Sequence, residues 1–210
     1  MRSLISAALL VLFIPVQQLT AQESSGMDGN PAVSAAGFEE ALFDAPTLIE
    51  ILKNEEAVGI RFYNVLVPPG NATGSAMAVG IRADGSELNS GKAYGLSLGF
   101  VDGKITMDKL RSRPAGKACE AMQQSGHASY SGSFTRTDME ALLELEGCEA
   151  IRATPDVTEG KETTMLITAM KIIGAKAEPL GSDPKFVRLC GHPCPSVCGP
   201  DKNYVYRFKQ

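Results

Sequence analysis

The chain has 210 residues, of which 44% are hydrophobic, and a formal charge of −4. That is enough apolar material for a core and too little net charge for a disordered polymer. The mildly acidic balance, with no basic stripe, argues against nucleic acid as a partner. With no Trp and 6% aromatics, a stacking platform would fall to Tyr and Phe alone.

The N-terminus is read first. Met1-Arg2-Ser3 gives a positive start, residues 4–14 are apolar and uncharged, and small Ala21 follows a polar stretch. This is the three-part pattern of a secretory signal peptide, and the apolar run is too short to span a bilayer. Export is therefore expected, to a periplasm or beyond, with cleavage near Ala21 and no membrane span after residues 1–21 are removed. Residues 22–36, rich in Ser, Gly, Asn and Ala, read as a loose leader.

From 38 to 54 apolar residues recur at helical spacing: Leu42, Phe43, Leu48, Ile49, Ile51 and Leu52. Pro46 is tolerated only in a first turn, which places the main helix at about 46–54. Residues 57–67 change period. Val58, Ile60, Phe62, Val65 and Val67 set against Arg61 and Tyr63 predict a strand, stopped by Pro68-Pro69-Gly70-Asn71. Strands are predicted again at 77–82, closed by Asp84-Gly85, and at 94–100, closed by Asp102-Gly103.

Beyond Ile105 the same order returns. Residues 117–124 have helical character, and Thr137 to Glu140 forms a capping box ahead of Met139, Leu142, Leu143 and Leu145. Gly147 ends that helix. Ile151-Arg152 starts a strand that Pro155 is expected to interrupt, and 163–173 is a long β-compatible run ending at Gly174.

Residues 43–61 (FDAPTLIEILKNEEAVGIR) and 134–152 (FTRTDMEALLELEGCEAIR) align without a gap. They share Phe, Leu, Glu and the closing Ile-Arg, with Leu48 and Ile51 opposite Met139 and Leu142. The expected fold class is α+β: two related units of helix plus antiparallel β-hairpin, made by internal duplication. The units run over 37–102 and 103–182, and a Cys-rich C-terminal tail follows at 183–210.

Several of these segments resemble an uncharacterised family of exported bacterial proteins. Its members carry a Gly-Cys-Val-Gly-Ile-Arg-x-Tyr stretch and a terminal Cys-Pro-x-x-Cys-Gly segment. Val58-Gly59-Ile60-Arg61-Phe62-Tyr63 resembles the first, and Cys194-Pro-Ser-Val-Cys198-Gly199 the second. Ala57 stands where the first copy would have Cys, and Ala150 and Thr154 replace Gly and Tyr in the second. The resemblance implies export and architecture, and brings no activity with it.

Cysteine is the one concentrated chemical signal. In an oxidising compartment Cys119, Cys190, Cys194 and Cys198 are expected to form two bridges, in any of three connectivities. Cys148, opposite Ala57, is expected to be a buried free thiol. The alternative is metal: Cys190, His192, Cys194 and Cys198 within nine residues have ligand chemistry for Zn(II), or Cu(I) with a subset. Cys194-Pro-Ser-Val-Cys198 also resembles the Cys-x-x-x-Cys of periplasmic copper-delivery proteins, where it lies early in a thioredoxin-like fold rather than near a C-terminus. Arg61 and Arg152 occupy equivalent positions, and two guanidiniums brought together by pseudo-symmetry would clamp a carboxylate, phosphate or sulfate.

His127 and His192 are the two histidines, and neither has the spacing of a nucleophile–base pair. The expected function is a soluble, non-enzymatic binding or interaction module of the bacterial envelope, without a cofactor. Its partner would be an envelope protein or a small ligand. The alternative is a Zn-, Cu- or thiol-redox-handling protein that uses the tail.

Overall fold

The structure, a computed structural model, describes residues 37–67, 73–127, 130–157 and 163–190, and the backbone alone of 193–194. Residues 1–36, on which a signal peptide and a leader were expected, lie outside the described residues, as do His192 and Cys198.

Asp44 explains where the first helix begins. Its carboxylate accepts from the Thr47 N–H at 2.8 Å, and Pro46 fits the first turn, so strand β1 (Ala41–Asp44) passes directly into helix α1 (Ala45–Leu52). Leu42 and Phe43 therefore lie in a strand rather than in the helix that their spacing suggested. The long hairpin β2 (Gly59–Val67) and β3 (Thr73–Ile81) follows, then the hairpin β4 (Tyr94–Val101) and β5 (Lys104–Leu110). The second hairpin turns at Asp102-Gly103, both with positive φ, so the expected unit boundary at 102/103 falls inside it.

Helix α2 (Ser112–Gln124) leads to β6 (Ser131–Thr135), helix α3 (Arg136–Leu143) and the hairpin β7 (Ala150–Val157) and β8 (Thr163–Ile173). Thr135 caps α3 by accepting from the Asp138 N–H at 3.1 Å, two residues ahead of the expected capping box. Pro155 does not interrupt β7. It pairs opposite Met165, beyond the last residue that β1 reaches at Ala153, where a missing N–H removes no bond to β1. Short strands β9 (Lys176–Pro179), β10 (Val187–Leu189) and β11 (Pro193–Cys194) finish the described chain.

Among the described residues the fold is α+β, with two antiparallel sheets and three α-helices. One sheet runs β1-β7-β8-β10, with β9 also on β8; the other runs β11-β6-β2-β3-β4-β5. The strands that precede α1 and α3 are exchanged between the sheets. β1 pairs with β7 through Phe43 opposite Ile151, and β6 with β2 through Phe134 opposite Ile60. The first pairing becomes the second when positions move by 91, the difference between 43 and 134 and between 60 and 151. The backbone follows the same shift: Ala45 N–H donates to the Glu149 carbonyl at 3.0 Å, and Arg136 N–H to the Val58 carbonyl at 2.7 Å.

Alternation along the strands divides the interior. Ile60, Phe62, Ala76 and Ala78 from one sheet meet Phe43, Ile151, Ala153 and Ile167 from the other in the main core. The opposite face of β2 and β3 carries Tyr63, Val65, Met77 and Val79, covered by Ala115, Ala118 and Cys119 of α2. The register shift at Ser97/Gly99, where Gly99 takes φ 106°, accompanies the turn of the β4–β5 tip. This brings Phe100 and Ile105 onto Leu42, Ala150 and Met170.

Candidate ligand groove

Small residues on β3 and β4 shape the space beside α1. A β-carbon on Gly80 would lie 2.8 Å from Leu88 Cδ1 and 3.0 Å from Ile51 Cγ2, and one on Gly95 would lie 3.1 Å from Met107 Cε. Glycine at these positions lets the helix and the 82–93 segment approach the sheet. Between them a groove of about 280 Å³ remains, with Ile51, Leu88 and Ala93 as its apolar lining. Its charged lining is Glu50, Glu56, Arg82, Lys92 and Lys109, with Thr47, Asn54 and Ser90 as neutral polar groups.

Two ion pairs cross this surface. Lys109 Nζ lies 2.6 Å from Glu50, and Arg82 Nε 2.9 Å from Glu56. The hydrogen bond from Lys109, then its charge, lowers the Glu50 pKa. Both pairs are solvent-exposed, so each is worth little to stability and each exchanges readily with another partner. Among the described residues Lys92 makes no ion pair.

The wall formed by 82–93 is pinned from behind. Glu87 is 3% exposed. Tyr63 and Tyr94 donate their hydroxyls to its two carboxylate oxygens, Tyr94 at 2.6 Å. Arg61 lies 3.9 Å away and donates to the Gly85 carbonyl at 3.2 Å and to Ser133 Oγ at 2.9 Å. Arg82 holds the Glu87 carbonyl at 2.7 Å, and Leu88 N–H donates to the Gly80 carbonyl at 2.8 Å. One residue thus faces the buried network while the next lines the groove. Burial, then the Glu87 charge, pushes the Tyr63 phenol well above its ordinary value.

Arg61 and Arg152, the expected anion clamp, lie on different sheets. Arg61 alternates with Ile60 and Phe62 and so lies on the α2 side of its sheet, 4% exposed. Arg152 alternates with Ile151 and Ala153 on the other sheet, with its guanidinium 3.8 Å from Glu40. Its Nε is buried without a hydrogen-bond partner among the described residues.

No disulfide is present among the described residues. Cys119 is a free thiol on the buried face of α2, and burial pushes its pKa well up. Cys148 is a free thiol, half-buried rather than buried. Cys190 is 2% exposed, and its Sγ accepts from the Ser133 N–H at 3.2 Å and donates to the Ser133 carbonyl at 3.3 Å. Among the described residues no three His, Cys, Asp or Glu side chains converge as metal ligands. Cys194 is described by its backbone alone, opposite Ser131.

The groove itself escaped the sequence reading. Gly80 and Gly95 fall inside the strands predicted at 77–82 and 94–100, and no spacing in the sequence links them to Lys92 or Lys109. Only the hairpin register brings them together. No helix among the described residues is long and apolar enough to cross a membrane. No protein-family model, no curated protein and no solved structure matches the chain.

Proposed function

We propose that this protein is an exported, non-enzymatic binding module of the bacterial envelope, and that the groove beside α1 is where it binds. The observation that carries the reading is the construction of that groove. An apolar lining with exchangeable charges at its edge is bounded by a segment anchored through a buried carboxylate. Binding sites combine an apolar surface with a few placed polar groups, and their walls are preformed. The volume lies near the lower end for small-molecule sites, which fits a ligand or ligand segment of one or two residues' size.

The architecture supports a duplicated origin. The gapless match between 43–61 and 134–152 has the same offset as the strand pairings and helix caps. Convergent helix–strand segments have no reason to share all of these. The likeness to an exported family and the N-terminal pattern support the envelope setting. A reporter fused to residues 1–21 tests it: retention of the uncleaved fusion in the cytoplasm would remove the envelope from the proposal.

The groove is tested by two-dimensional amide NMR of the mature protein against a fragment library. Hits should move the amides of Ile51, Gly80, Leu88 and Gly95 together. A library that moves no groove amide, while perturbing others, would assign binding elsewhere.

A further inference from the structure

We infer that the groove receives the C-terminal end of a polypeptide whose last side chain is apolar. This rests on the groove being the binding site. The charge inventory of the lining carries the step: three cations, Arg82, Lys92 and Lys109, face two carboxylates, Glu50 and Glu56. Each carboxylate is already engaged, and Lys92 is left over among the described residues. A ligand carboxylate restores the balance. Lys109 shares the new charge at little expense, since its pair with Glu50 is exposed.

The rest of the lining distinguishes a peptide end from other acids. Asn54 uses its side-chain oxygen to accept from the Glu56 N–H, which leaves its amide nitrogen as a donor. Ser90 adds a hydroxyl. These groups suit a backbone amide, for which an acyl chain has no counterpart, and Ile51 and Leu88 suit one apolar side chain. Terminal carboxylates are recognised in this way elsewhere: charge for the terminus, an apolar surface for the last residue.

The test uses the mature chain and a random tetrapeptide library tethered by its N-termini, in free-acid and C-terminally amidated forms. Octanoate serves as a soluble competitor. Enriched peptides should end in an aliphatic residue and lose about tenfold or more in affinity on amidation, the scale of a charge-assisted hydrogen bond. Lys92→Gln should remove most of that difference, and added salt should weaken the acid form alone. Equal binding of acid and amide, with groove amides shifting in both, would overturn the terminus while leaving the groove as the site. Displacement of every peptide by octanoate at equal concentration would reassign the ligand to a simple fatty acid. Peptides that bind without moving any groove amide would overturn both readings.

Discussion

At the scale of single residues, the main energetic commitment is the buried carboxylate of Glu87. A charged group taken from water is tolerated only with good partners, and removing a partner strands the rest. Glu87→Gln keeps the size but loses the ion pair with Arg61, and it puts a donor where a tyrosine hydroxyl already donates. We expect a loss of roughly 3 kcal/mol, read from urea midpoints at constant m-value; a change within the error of the midpoint would show that the network carries no stability. The same neighbourhood sets an alkaline limit. Tyr63 and Cys119 both have raised pKa values, because burial disfavours their charged forms. A group whose native pKa lies above its unfolded value contributes fully below the unfolded value and is lost as pH rises through the native one. Stability should therefore hold to about pH 8 and fall above it, first through the thiol and then through the phenol, since their unfolded forms ionise at roughly 8.5 and 10. Cys119→Ala should flatten the first part of that fall; an unchanged profile would exclude the thiol as a contributor.

At the scale of elements, the two helix starts do equivalent work with different residues. Asp44 and Thr135 each cap a helix that leaves an exchanged strand, so Asp44→Ala and Thr135→Ala should each cost about 1 kcal/mol in thermal or urea unfolding. An effect confined to one of them would break the equivalence. Gly59 is a sharper case: a β-carbon there would sit 2.2 Å from the Phe134 carbonyl oxygen, so Gly59→Ala should separate β2 from β6. These elements differ in how legible they were. The strands of β2–β3 and β7–β8 and the helices α1 and α3 could be read from periodicity, with shifted ends, because each is locally consistent. Strand β1 was read as helix, because four residues carry too little period to separate 2 from 3.6, and the deciding partner, β7, lies over a hundred residues away. Strand β6, a short Ser/Gly-rich segment, had no local signature at all. The groove was hidden for the same reason: Lys109 and Glu50 meet through tertiary register alone.

At the scale of the whole molecule, strand exchange decides how the chain must unfold. Two side-by-side units would each keep a private core and could melt separately. Here the strand ahead of α1 is hydrogen-bonded into the sheet of β7 and β8, and the strand ahead of α3 into the sheet of β2 and β3. The main core between the sheets draws Phe43 and Ile60 from one half and Phe134 and Ile151 from the other. Phe62 touches both Phe43 and Phe134, with ring centroids 5.0 and 5.8 Å apart. Neither half can therefore open without taking a strand and part of the core from its neighbour. We expect one cooperative transition, with circular dichroism and tyrosine fluorescence coinciding and calorimetric and van't Hoff enthalpies equal. Phe62→Ala, which vacates the shared aromatic contact, should lower that single midpoint by an amount equivalent to about 3–5 kcal/mol. Two resolved transitions in the parent chain, or a Phe62→Ala variant that loses only the first half, would mean that the halves hold separate cores.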